Sequence, residues 1–147
     1  MPIPEFTASG DLPPGVHPAT LAEVLARFGQ RTAERVAIGG RLARIHGLAD
    51  STGSVRRFVV FGSFVTAKPA PNDVDVFLVM EDGFAVGSVE PAVLAVFDHA
   101  AAQERLGASV FWLRQMAALD GEQAAVEYWQ VTREGGLRGI VEIVEPR

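Results

Sequence analysis

Cysteine is absent from the 147 residues, which excludes a disulfide framework and any thiolate metal site. Lysine occurs once, at Lys68, and the other basic residues are twelve scattered arginines set against 18 acids, for a formal charge of -5. Backbone recognition of nucleic acid depends on clustered Lys and Arg, so a broad nucleic-acid-binding surface is disfavoured. No apolar run approaches the ~18 residues of a membrane span, and residues 1–18 lack a basic n-region followed by an apolar core. These absences point to a cytoplasmic protein without a membrane segment. The three histidines, His17, His46 and His99, fall in different elements without metal-ligand spacing. No glycine-rich dinucleotide fingerprint, Walker sequence or Ser-His-Asp order is found.

What is present suffices for one compact domain, since 48% of the residues are hydrophobic. Residues 1–18 read as an extended arm, because Pro13-Pro14 and His17-Pro18 block helix, and residues 19–147 read as a single domain. Thr20 and Glu23 form a capping box ahead of Leu21, Val24, Leu25 and Phe28 at helical spacing, ending at Gly29. A second helical pattern from Thr32 to about Leu48 is interrupted by Gly39-Gly40, which implies close approach of another backbone. Its arginines, with Arg27, read as a solvated face. Ser88 and Pro91 open a third helix that ends near Gly107. Strands are expected near 57–61, 73–80 and 108–113, with a terminal hairpin of 126–131 and 140–144 across Gly135-Gly136. The fold class is α/β (α+β): a small mixed sheet flanked by helices.

The chemistry concentrates in the first strand pair. Gly62-Ser63 follows the apolar run 57–61, and Asp73-Val74-Asp75 heads the apolar run 76–80. Residues two apart on a strand share a face, so both carboxylates can grip divalent cations. Two like charges flanked by Val74, Val76 and Phe77 would repel without one. The Gly-Ser pair at a strand exit presents backbone N–H groups and a hydroxyl to an anion. Asp73 and Asp75 are therefore the candidate metal ligands, and Gly62 and Ser63 the candidate nucleotide-phosphate turn. Lys68 sits where it could neutralise triphosphate charge, although a solvent-exposed lysine without a role is the more common case.

The stretch FVVFGSFVTAKPAPNDVDVFLV resembles the signature of the DNA polymerase β-like nucleotidyltransferase superfamily in its minimal single-domain form, over residues 56–80. From LPPGVHPATLAEV to Trp129 and GIVEIV, the chain is also similar to an uncharacterised nucleotidyltransferase-like family known only as a domain of unknown function. The first resemblance implies a Mg²⁺- or Mn²⁺-dependent transfer of a nucleoside monophosphate from an NTP such as ATP to a hydroxyl. It also implies an acceptor presented in trans, for which a small helical protein in a toxin–antitoxin-like pair is the expected partner. Active members carry a third carboxylate on the strand after the third helix, but 108–113 reads Ala-Ser-Val-Phe-Trp-Leu, without an acid. Glu127, on the expected next strand, is the first candidate to replace it, and Glu142 the second. Without such an acid, the alternative is a catalytically weak module that binds nucleotide or metal and occludes a protein partner. RNA modification is disfavoured by the acidic balance, although Arg56-Arg57 could supply a small basic patch. Trp129 is either a core residue or a base-stacking surface.

Overall fold

The computed structural model describes residues 3–145. It is a mixed α+β fold built on a five-stranded sheet. In chain order the elements are β1 (Val16–Ala19), α1 (Leu21–Phe28), α2 (Ala33–Asp50), β2 (Val55–Phe61), β3 (Val74–Met80), α3 (Pro91–Leu94), α4 (His99–Ala101), β4 (Ala108–Arg114), α5 (Glu122–Glu127) and β5 (Ile140–Ile143). The sheet order is β1-β5-β2-β3-β4. The inner pairs β5/β2 and β2/β3 are antiparallel, and the outer pairs β1/β5 and β3/β4 are parallel.

Strand alternation divides the sheet into two faces. Val74, Val76, Leu78 and Met80 of β3 are fully buried against the helical layer, which contributes Val24, Phe28, Ile38, Leu42 and Ile45. The opposite face carries Val59, Phe77, Val79 and Ile140, capped by Val126 of α5 and by Trp129 just beyond it. Burial of this scale is the main stabilising term of a domain this size.

Local sequence accounts for most boundaries. Thr20 caps α1 in a complete capping box, its Oγ1 accepting from the Glu23 N–H at 3.1 Å and its own N–H donating to Glu23 Oε1 at 2.8 Å. Gly39 lets α2 cross the end of α1: a Cβ there would meet the Gly29 Cα at 3.2 Å. Gly107, left-handed at φ 64°, stops the third helical stretch and turns the chain into β4. That stretch is not one helix but α3, a 3-10 turn, α4 and a π-helical turn at 102–106. Its first helix is capped by Glu90 and opens on Pro91, so Ser88 is not the cap.

Two expected elements differ. Residues 126–131 are not a strand, because the good helix formers of 122–127 continue as α5 into a 3-10 turn at 128–130 that lays Trp129 over the sheet. The terminal hairpin is thus replaced by a single Val131–Leu137 bridge, and β5 instead pairs with β1 and β2. Residues 16–18 of the expected arm accordingly belong to a sheet strand, and Leu12 ahead of them is fully buried.

Candidate functional site

Register assembles the site. Within the β2/β3 pair Asp75 lies opposite Phe61, and the chain leaves Phe61 directly into Gly62 and a 3-10 turn at Ser63–Val65. Gly62 has φ 80° and ψ -163°, a region essentially reserved for glycine. A Cβ there would also collide with the Asp75 carboxylate, so the glycine is required by both its backbone and its neighbour. The turn and the carboxylate form one corner.

Asp73 precedes β3 by one residue and joins that corner through Ser109, whose hydroxyl donates to Asp73 Oδ2 at 3.1 Å. Ser109 sits directly beside Asp75 in the parallel β3/β4 register and accepts from Gln103 Nε2 at 3.3 Å. Burial, and next the negative charge of Asp73, push the Asp75 carboxyl up to about 6, against the opposing pull of the Ser109 hydroxyl, Arg138 and Arg133. Half-withdrawn from water and pressed by a like charge, Asp75 is suited to receive a cation.

The corner opens into a cavity of about 730 Å³ whose walls include Gly62, Ser63, Asp75, Lys68, Arg133 and Arg138. The same cavity has aromatic walls from Phe61, Phe111, Tyr128 and Trp129. Trp129 packs on Phe61, Phe77 and Phe111 with ring centroids 4.5, 5.2 and 5.1 Å away, so it acts chiefly as the lid of the second core. Arg138 is tied to Asp11 of the N-terminal segment at 3.6 Å.

Neither glutamate expected to replace the third acid joins the pair. Glu127 is exposed on α5, not on a strand, and accepts from Gln123 at 3.1 Å. Glu142 lies opposite Val59 on β5, and its two carboxylate oxygens accept from Arg57 Nε and Nη2 at 2.7 and 2.6 Å. Among the described residues no three His, Cys, Asp or Glu side chains form a group able to hold a metal. The neighbour of Asp75 on the strand that was expected to carry an acid is Ser109. Arg56 and Arg57 supply no free basic patch, since Arg56 pairs with Glu81 and Glu122 and Arg57 with Glu142.

The remaining oxygen donors suit a hard cation. Mg²⁺ is commonly held by one or two carboxylates completed by other oxygen donors and water, and Asp73 and Asp75 could supply the two carboxylates.

Sequence reasoning missed His99, Gln103, Arg133 and Arg138 as cavity residues. The three-to-four-residue spacing that could place His99 and Gln103 on one side of a helix is legible, but the partner element is not. Arg133 and Arg138 belong to the segment first read as a hairpin.

A family of unknown function (DUF6932) matches residues 4–144. No curated protein matches the chain, and no solved structure does. The chain belongs to the DUF6932 family.

Proposed function

We propose that this chain is a nucleotidyltransferase-like module that binds a divalent-cation–nucleoside triphosphate complex at the Gly62–Asp75 corner. The observation that carries this reading is the contact of the Asp75 carboxylate with a glycine that no other residue can replace, beside a second carboxylate at Asp73. Asp73 and Asp75 would hold Mg²⁺ or Mn²⁺, and the cation supplies charge neutralisation for the phosphates. Ser63 offers a hydroxyl to the anion, while Lys68, Arg133 and Arg138 line the same cavity with positive charge. The resemblance to the DNA polymerase β-like superfamily supports this assignment on the same residues. A nucleoside triphosphate ligand would suit a cytoplasmic location.

Those three cations favour a second reading, nucleotidyl transfer, because positive charge stabilises a departing pyrophosphate. An acceptor hydroxyl oxygen would bond to the α-phosphorus as the bond to the β-phosphate oxygen breaks, and the hydroxyl proton would pass to a carboxylate or water. The acceptor would come from a partner protein, a small helical one in a toxin–antitoxin-like pair. A serine stands beside Asp75 where the superfamily carries its third acid, and although Glu134 lines the same cavity, no three acids group together among the described residues, so binding is the first reading.

Titration calorimetry with ATP, with and without Mg²⁺, tests the proposal. Binding is expected with Mg²⁺ and should lose its metal-dependent part in the Asp73→Asn/Asp75→Asn protein. Gly62→Ala should abolish it, with circular dichroism reporting the fold. Equal affinity in the parent and the double variant removes the two aspartates from the site. Label transfer from α-phosphate-labelled ATP to a co-expressed neighbour protein would promote the second reading over the first.

A further inference from the structure

We infer that the same cavity contains a nucleobase subsite, with Phe111 as its stacking surface and Gln103 and His99 along its polar edge; this rests on the nucleotide reading above. Register fixes where the subsite lies. Ser109 and Phe111 are two residues apart on β4, so they share the face that carries Asp75, roughly 7 Å apart along the strand. Ser109 pairs with Asp75 and Phe111 pairs with Phe77. One strand step therefore leads from the carboxylate corner to the aromatic wall, and a ligand spanning both needs a polyanionic end and a flat apolar end.

The aromatic wall is not uniform. Trp129 packs against both Phe77 and Phe111, yet Phe77 is only 3% exposed whereas Phe111, on the edge strand β4, is 37% exposed. His99 continues the wall at 4.9 Å from the Phe111 ring, inclined by 36°. Its Nδ1 is 3.4 Å from the Val110 carbonyl, which leaves Nε2 for a ligand. Gln103 stands four residues on, in the π-helical turn, a feature that recurs at functional sites. Its amide nitrogen is engaged by Ser109, so its amide oxygen is the group left to accept from an exocyclic amine. The stacking role thus falls to the exposed part of the Phe111 ring, which Trp129 and His99 flank.

The test compares ATP with inorganic tripolyphosphate by calorimetry on the full chain, both in Mg²⁺. ATP should bind about tenfold more tightly or better, the usual gain from stacking one base on an aromatic ring. Phe111→Ala should erase that advantage and leave tripolyphosphate affinity unchanged. Phe111→Leu, which keeps an apolar group on the sheet, should do the same if the alanine protein fails to fold, and Gln103→Ala on the exposed turn should remove part of the advantage. Equal affinities of the parent for ATP and tripolyphosphate would overturn the base subsite while leaving the metal–phosphate corner intact. Binding of neither ligand would overturn both. Phe111 variants that weaken the two ligands equally would make that ring structural and overturn the subsite.

Discussion

Arg35 and Asp75 are both ionisable groups drawn out of water against the segment 62–68, and the fold treats them in opposite ways. Arg35 is 7% exposed and has no carboxylate partner among the described residues. Its guanidinium instead donates to the carbonyls of Phe28 at 3.1 Å, Phe64 at 2.8 Å and Thr66 at 2.7 Å, and to that of Lys68. Burial lowers its pKa, but an arginine remains charged, and the carbonyl dipoles disperse that charge. Asp75 has the reverse surroundings: burial and the like charge of Asp73 both oppose its ionisation. The charge that shapes the fold is surrounded by acceptors, whereas Asp75 is left beside a charge of its own sign that Ser109, Arg138 and Arg133 only partly offset. The first holds the turn; the second faces the cavity that the turn borders.

The largest way to break this comparison is Arg35→Met. Three of the four carbonyls belong to residues 64–68, so the substitution strips donors from the segment that follows Gly62. Each buried carbonyl left without its donor costs about 1–3 kcal/mol where water cannot reach it, so urea unfolding should show a loss of about 4 kcal/mol. A loss below about 1 kcal/mol would mean that water replaces the guanidinium without penalty, and the comparison would fail.

Asp75→Asn should act in the opposite direction. The folded carboxyl titrates at about 6 against an ordinary value of 3.8, so between those values the native state holds the proton that the unfolded chain has released. Stability from this group is present below about pH 4 and lost as pH rises to about 6, by up to about 3 kcal/mol. In metal-free buffer at pH 7–8, Asp75→Asn should therefore raise the unfolding midpoint and flatten its fall between pH 4 and 6. Mg²⁺ with ATP should restore the parent and not the variant, since a ligand that binds only the native state stabilises it. A variant less stable than the parent at pH 8 would show that the Asp75 charge is already neutralised within the chain.

The same contrast explains what the sequence made legible. The Gly62–Ser63 turn and the Asp73–Asp75 pair were readable because strand period and glycine need are local properties, and α1 was readable because its cap is. Arg35 was misread as part of a solvated face, since its role depends on carbonyls up to 33 residues away. Glu127 was assigned to a strand because Val126–Val131 is rich in β-formers, but the aromatic surface formed by Phe61, Phe77 and Phe111 selects a helix that can lay Trp129 across it. The edge strand β1 was hidden in a proline-containing arm. Pro18 is tolerated there because an edge strand leaves some of its N–H positions unpaired.

The smallest test concerns the serine between the two aspartates. Ser109 is 8% exposed and its hydroxyl is the donor that opposes the rise of the Asp75 carboxyl while bonding Asp73. Ser109→Ala removes that donor and leaves the Gln103 amide without its acceptor. Because Gln103 is exposed and water can replace the lost bond there, the stability change at neutral pH should be only about 1 kcal/mol. The electrostatic readout is sharper: carbon-detected NMR titration should place the Asp75 carboxyl still higher than about 6, and the pH-dependent loss of stability should extend upward with it. If the carboxyl instead titrates lower in Ser109→Ala, water has entered the corner, and desolvation rather than the missing donor governs Asp75.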